Sequence, residues 1–223
     1  MRKTFEISFR GQVQGVGFRP FIYLLAHAHS LTGIVYNDAL GVKIKLNATR
    51  QEADHFVNAV LNQPPVSAKV KEYQLNEVEH ESFKEFQIVK FDNEKQLNLP
   101  LTPDFAICKE CKEEILDQNN RRYFYPFTTC TNCGPRYAIT KAYPFERELT
   151  TIADFSMCQE CREEYTNPLD RRFHSQTNSC NTCGIKLTLE DNNGNIIEDN
   201  ARELLKQTAK LLKTGHILAI KKT

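Results

Sequence analysis

The chain has 223 residues and a formal net charge of +1, with 40% hydrophobic and 26% charged residues. This balance is typical of a globular protein and excludes a disordered chain, and no apolar run approaches the length of a membrane span. Residues 1–92 carry 11 basic and 10 acidic residues, and residues 104–188 carry 11 and 12. Because nucleic-acid-binding modules usually show a basic excess, the even charge argues against a nucleic-acid partner. The alternating N-terminal segment is not a signal peptide, so the sequence predicts a cytoplasmic protein without a membrane partner.

Residues 1–92 predict an α+β sandwich in the order strand, helix, strand, strand, helix, strand, which is the order of a ferredoxin-like fold. Strands are expected from period-2 patterns and helices from apolar residues at i, i+3 and i+4. Thr49 and Glu52 form a capping box at the start of the second helix, and Pro64 ends that helix. The strands are expected at residues 4–10, 33–37, 42–46 and 69–79, with a further edge strand at 83–91, and the first helix at 21–30.

A glycine-rich loop, GQVQGVGFR at residues 11–19, joins the first strand to the first helix. Gly11, Gly15 and Gly17 allow a tight turn in which several backbone N–H groups point at one centre near a helix N-terminus. Oriented amides of this kind bind phosphate. Arg19 adds a forked, permanently charged donor at the end of the loop. Most glycine-rich turns only connect two elements, so the loop alone is weak support for an anion site.

All eight cysteines fall into two four-cysteine units that repeat at a spacing of 50 residues, with 18 residues between the C-x-x-C pairs of each unit. Two such pairs complete a four-thiolate zinc site, and a reducing compartment favours metal over disulfides. The sequence therefore predicts two zinc ions. It leaves open whether each unit holds its own ion or the pairs nest, first with fourth and second with third. The predicted ligands are Cys108, Cys111, Cys130, Cys133, Cys158, Cys161, Cys180 and Cys183.

Two other features belong to this repeat. Arg121–Arg122 and Arg171–Arg172 recur 50 residues apart, and we expect them to pair with acidic residues or to contact a neighbouring domain. His174 lies between the two cysteine pairs of the second unit. Four thiolates already fill each tetrahedron, so His174 is not expected to be a zinc ligand.

The sequence also predicts the division of the chain. A polar connection is expected after the second unit, followed by an amphipathic helix and a short apolar strand, His216–Ile220. A lone helix and strand cannot complete a domain, so we expect the sequence to stop at the start of a further one. The predicted parts are a first domain at 1–92, a linker at 93–103, zinc fingers at 104–150 and 151–188, and the connection with the incomplete domain at 189–223.

The loop GQVQGVGFR resembles the phosphate loop of acylphosphatases, and GIVYNDALG at residues 33–41 resembles their second signature. In that family the loop arginine cradles the phosphate and an asparagine on the next strand positions the attacking water. The resemblance places these catalytic roles on Arg19 and Asn37. Ile34 departs from the pattern, because small acylphosphatases usually carry an aromatic ring there. The phosphate-binding residues that the resemblance implies are Gln14, Gly15, Val16, Gly17, Phe18 and Arg19.

The arrangement as a whole resembles HypF, the carbamoyltransferase family of nickel–iron hydrogenase maturation. Residues 120–140 and 153–184 are similar to that family beyond the cysteines, and residues 211–222 resemble the opening of its YrdC-like domain. The resemblance implies that carbamoyl phosphate is cleaved in the acylphosphatase-like domain, and that ATP-dependent transfer then delivers the carbamoyl group to a cysteine of the partner HypE. The ATP site would lie outside this chain, so we expect hydrolysis without transfer.

Two other functions stay open at the level of the sequence. The zinc fingers could be a docking module attached to a catalytically idle acylphosphatase-like fold. The chain could instead be a zinc-containing RNA-binding protein, because some YrdC-type domains bind RNA, although its even charge disfavours this.

Overall fold

The computed structural model describes residues 2–38, 40–90 and 102–220. Most of the predicted linker at 93–103 lies outside the described residues. The strands are β1 (Lys3–Gln12), β2 (Thr32–Asp38), β3 (Gly41–Ala48), β4 (Lys69–Val78), β5 (Phe86–Ile88), β6 (Leu189–Glu190) and β7 (Ile196–Glu198). The α-helices are α1 (Phe18–Ala28), α2 (Arg50–Asn62), α3 (Lys109–Leu116), α4 (Gln159–Thr166) and α5 (Ala201–Lys213).

Strands β1 to β5 form one sheet in the order β4-β1-β3-β2-β5. The β1–β3, β1–β4 and β2–β3 pairs are antiparallel, and β5 adds to β2 in parallel. The first four strands have the order of a ferredoxin-like sheet, which confirms the predicted fold class. The predicted edge strand at 83–91 is present but shorter, and it pairs with β2.

One hydrophobic core lies between this sheet and the helices α1 and α2. In β1, Phe5, Ile7 and Phe9 are buried on the side where the period-2 pattern places them. Helix α2 begins with the predicted capping box, since Thr49 accepts from the backbone of Glu52 and the Glu52 carboxylate accepts from the backbone of Thr49. The core therefore forms one rigid face, and the loop between β1 and α1 lies at its end.

The two cysteine units have the same local structure. Cys108 and Cys158 are the N-cap residues of α3 and α4, which places the second cysteine of each C-x-x-C pair in the first helical turn. Phe124 and His174 occupy equivalent positions and both have left-handed backbones, with φ of 57° and 53°. The sequence repeat is thus a structural repeat.

The segment after the second unit differs from its prediction in two places. Strands β6 and β7 form a small hairpin where only a turn-rich connection was expected. Asp191 closes the hairpin because its Oδ1 atom accepts from the N–H groups of Asn193 and Asn195. Helix α5 is present, but residues 216–220 form no strand, which differs from the predicted strand His216–Ile220. Among the described residues, no helix combines the length and apolarity needed to cross a bilayer.

Candidate functional site

The loop between β1 and α1 presents a row of free backbone donors. Gly15 and Gly17 have φ of 70° and 73°, a conformation that glycine adopts without strain. Gly17 is the N-cap of α1 and no side chain caps this helix end. Within the described part of the chain, the N–H groups of residues 15–19 donate to no protein acceptor. These groups and the helix N-terminus make a site suited to an anion.

Gln14 holds this loop against the neighbouring turn. Its Nε2 atom donates to the carbonyl oxygens of Asp38 and Gly41, at 2.8 and 2.7 Å. The loop is therefore fixed to the β2–β3 connection, which follows directly after Asn37.

The two predicted catalytic residues meet at a third residue, Glu146. Arg19 Nη1 lies 2.5 Å from Glu146 Oε1, and Asn37 Nδ2 donates to the same oxygen at 3.3 Å. All three residues are at least nine-tenths buried, with exposures of 7%, 4% and 8% for Arg19, Asn37 and Glu146. One carboxylate oxygen thus lies within reach of both donors.

The other atom of the Asn37 amide has no partner. Asn37 Oδ1 is buried and makes no hydrogen bond, the one such side-chain atom among the described residues. An unpaired buried acceptor costs about 1–3 kcal/mol. Asn37 also lines a small cavity beside the loop, and a water molecule there could satisfy this atom.

Segments of both cysteine units cover this site. A cavity of about 30 Å³ lies between the loop and the finger segments, which is room for about one water molecule. A Cβ on Gly17 would lie 3.2 Å from Thr131, and one on Gly15 would lie 3.1 Å from Arg136, so both glycines are packed closely against the first unit. The cavity is lined on the finger side by Thr131, Arg136, Phe145, His174, Ser175 and Gln176.

Arg136 ties the first cysteine unit to the phosphate loop. Its guanidinium is buried and donates to the carbonyl oxygen of Gly15 and to those of Cys130, Thr131 and Cys133. Burial lowers the pKa of Arg136 to about 10, which still leaves it charged at neutral pH. A four-thiolate zinc centre would carry two negative charges, and these would balance such a buried cation.

His174 lies over the same site. It is not part of either four-cysteine cluster, as expected. Burial is the main cause that lowers its pKa to about 4, and the positive charges of Arg19 and Lys90 lower it further. His174 is therefore neutral in the folded protein near pH 7.

We expect His174 to make the fold less stable in mild acid. Between its usual pKa of 6.5 and the folded value of about 4, the unfolded chain binds a proton that the folded chain does not. The free energy of unfolding should therefore decrease as the pH is lowered through this range, by on the order of 1–3 kcal/mol. His174→Phe tests this, because Phe124 occupies the equivalent position with the same backbone. Denaturant titrations at several pH values should show a shallower decline for the variant; parallel declines would contradict the prediction.

The cysteines form two clusters, each from one unit. Within each cluster the sulfur atoms all lie within 4.8 Å of one another, and neighbouring sulfurs are 3.6–3.9 Å apart. Tetrahedral zinc with bonds of about 2.3 Å places its sulfurs about 3.8 Å apart. The nested arrangement is thereby excluded, and both clusters fit zinc. The clusters are Cys108, Cys111, Cys130 and Cys133, and Cys158, Cys161, Cys180 and Cys183.

Arginines link the two clusters reciprocally. Arg122 from the first unit donates to Glu164 on α4 and lies 3.8 Å from the Cys161 sulfur. Arg172 from the second unit makes the same contacts with Glu114 on α3 and with Cys111. This confirms the prediction that the repeated arginines pair with acidic residues. Each unit therefore depends on the other for the charge balance at its thiolates.

Sequence reasoning missed Glu146, Arg136 and the place of His174. Glu146 and Arg136 lie in no repeated motif, and Glu146 is 109 residues from Asn37 along the chain. His174 lies in the repeat, but its position there does not show that it reaches the loop. Their nearness to the loop arises only from the packing of the finger segments on the sheet domain.

Comparisons with known proteins agree with this architecture. Residues 5–88 match the Acylphosphatase family, and residues 107–140 and 157–190 match the HypF finger family. An acylphosphatase of Bacillus licheniformis is 36% identical over 86 residues, which is 38% of this chain and 94% of that protein.

Longer relatives cover nearly the whole chain. The probable carbamoyltransferase HypF of Methanocaldococcus jannaschii is 49% identical over 218 residues, 97% of this chain and 28% of that protein. The carbamoyltransferase HypF of Synechocystis is 43% identical, over 99% of this chain and 29% of that protein. The crystal structure of a full-length HypF in a phosphate- and nucleotide-bound form aligns with all of this chain and 29% of its own, at a TM-score of 0.88 and 37% identity. The chain spans less than a third of the length of these relatives. It belongs to the HypF family, with an acylphosphatase domain and HypF fingers.

Proposed function

We propose that this chain hydrolyses carbamoyl phosphate, or a closely related acyl phosphate, at the loop of residues 14–19. The observation that carries the proposal is the single Glu146 oxygen that contacts both Arg19 and Asn37. Two donors that converge on one anionic oxygen can converge equally on a bound substrate oxygen. The match of residues 5–88 to the acylphosphatase family supports the same chemistry.

In the proposed reaction, the free N–H groups of residues 15–19 and the Arg19 guanidinium hold the phosphoryl oxygens and stabilise their charge. Asn37 Oδ1 accepts from a water molecule and orients it toward phosphorus. The water oxygen bonds to phosphorus as the bond between phosphorus and the carbamoyl oxygen breaks. One water proton passes to a phosphoryl oxygen, and the products are phosphate and carbamate.

Arg19→Ala should lower kcat/KM for phosphate release from carbamoyl phosphate about a thousandfold, because it removes the charged donor from the transferring group. A phosphate-release assay measures this. Arg10→Ala is the matched control, since Arg10 lies on β1 in an exposed ion pair with Glu72. Equal rates for wild type and Arg19→Ala, or no release by wild type, would contradict the proposal. No phosphate release by wild type is the result expected if the chain is a docking module with a catalytically idle acylphosphatase-like fold.

We also propose that each cysteine cluster holds one zinc ion, with the four thiolates of its own unit as ligands. The ion would supply no chemistry to the hydrolysis. It would hold the finger segments in place. The hydrogen bond from Arg136 to the carbonyl oxygen of Gly15 would in turn hold the phosphate loop.

In the family, carbamoyl transfer also needs ATP and a HypE-type partner, and we propose that such a partner receives the carbamoyl group in the cytoplasm. We expect this chain alone to release carbamate instead of forming a carbamoyl-adenylate, since the ATP site was predicted outside residues 1–223. An assay for ATP-dependent pyrophosphate release should then show none.

A further inference from the structure

Glu146 belongs to the finger segment, yet its carboxylate lies in the site of the acylphosphatase domain. Its side chain is 11% exposed and forms an ion pair with Arg19, whose side chain is 8% exposed. Burial of an ion pair costs free energy because both charges lose their water. The attraction between the two charges offsets this cost only when their geometry is well held.

The backbone on both sides of Glu146 is anchored. The Phe145 N–H donates to Gln14 Oε1 at 3.3 Å, which joins it to the phosphate loop. The Arg147 N–H donates to Gln176 Oε1 at 2.9 Å, and the Arg147 guanidinium donates to the carbonyl oxygens of Gln176 and Asn178. The backbone around Glu146 is thus held by both the loop and the second cysteine unit.

The Glu146 carboxylate can accept further hydrogen bonds. Its contacts with Arg19 and with Asn37 both fall on Oε1. An ionised carboxylate accepts hydrogen bonds on both of its oxygens and donates none. The carboxylate can therefore also accept a hydrogen bond from a bound ligand.

A substrate that binds Arg19 competes with Glu146 for the guanidinium. The adjoining cavity of about 30 Å³ holds about one water molecule, and an acyl phosphate is several times larger. A phosphoryl group bound to Arg19 would therefore displace Glu146 Oε1, while the anchored backbone of residues 145–147 would keep the carboxylate beside the bound substrate. The acyl group is the part of the substrate that distinguishes one acyl phosphate from another.

We propose that Glu146 is a specificity-determining residue, which accepts a hydrogen bond from the amino group of carbamoyl phosphate and so selects against acyl phosphates without an N–H donor. The inference rests on the proposed function and names its substrate preference. Acetyl phosphate has a methyl group in place of the amino group. A methyl group would leave the buried carboxylate unpaired, and this is where the discrimination arises.

The test is the ratio of kcat/KM for carbamoyl phosphate to that for acetyl phosphate in wild type, Glu146→Ala and Glu146→Gln. The ratio should fall about tenfold or more in Glu146→Ala, the usual effect of losing a hydrogen bond to a charged group. Glu146→Gln should keep part of it, because the amide oxygen still accepts. Glu148→Ala is the control. Glu148 lies two residues after Glu146 and forms an exposed ion pair with Lys90, so its removal should leave the ratio unchanged. If Glu146→Ala changes kcat/KM by the same factor for both substrates, the proposal is overturned, and Glu146 only occludes the site.

Failure of the proposed function is distinguishable from failure of this inference. If wild type hydrolyses neither substrate, the proposed function fails, and the same ratio is then measured as dissociation constants by isothermal titration. Tighter binding of carbamoyl than of acetyl phosphate, lost in Glu146→Ala, would still support the selection. Equal binding of the two compounds by wild type would overturn it.

Discussion

Removal of zinc by a chelator is expected to unfold residues 104–188 while the five-stranded sheet stays folded. The large hydrophobic core lies in the sheet domain, whereas the buried apolar cluster around the first zinc site consists of cysteines. Structural zinc contributes about 10–16 kcal/mol to folding in small zinc modules, which the few buried apolar residues of this region cannot replace.

Hydrogen exchange measured on the whole chain resolves the two regions. After chelation, helices α3 and α4 should lose protection and strands β1, β3 and β4 should keep theirs. Zinc should restore α3 and α4, and Mg²⁺ should not, because thiolates are poor ligands for magnesium. Unchanged protection of α3 and α4 in metal-free protein would contradict the structural role of the clusters.

Arg122→Ala is expected to have the second large effect, a loss of about 3 kcal/mol in the free energy of unfolding of the finger region. Arg122 is 2% exposed and donates to Glu164, to Asn178 and to the carbonyl oxygen of Ser179. Burial alone would raise the pKa of Glu164, but hydrogen bonds from Arg122 and Arg121 lower it to about 2. Removal of one partner of such a pair leaves a partly buried charge unpaired.

The repeat offers a matched test. Arg172→Ala removes the equivalent contact to Glu114 and should cost a similar amount. Arg50→Ala removes an exposed ion pair with Asp54 on α2, and such exposed pairs contribute little to stability. Denaturant unfolding followed by a finger-region probe should separate the first two variants from the third. Equal stability of all three would show that the reciprocal arginines do not join the two units.

Much of the fold could be predicted because its signals are local. The capping box at Thr49, the alternation in β1 and the C-x-x-C pairs each specify structure within a few residues. The cysteine pairing could not be predicted, since the loop lengths allow both arrangements, and the β6–β7 hairpin was missed because its residues lack an alternating apolar pattern. The division of the chain at residues 92, 103, 150 and 188 stays a prediction.

The candidate site was predictable only in part. Arg19 and Asn37 lie in motifs, and the structure brings both to one oxygen atom. Glu146 and His174 reach this site through the packing of the finger region on the loop, and no pattern within a segment encodes that contact.

The measurement that tests the hydrolytic site most directly is phosphate release from carbamoyl phosphate by wild type and by Asn37→Ala. If the buried Asn37 Oδ1 orients the attacking water, kcat should fall about a hundredfold or more, with a much smaller change in KM. A kcat equal to that of wild type would show that the water is positioned by another group and would contradict the mechanism.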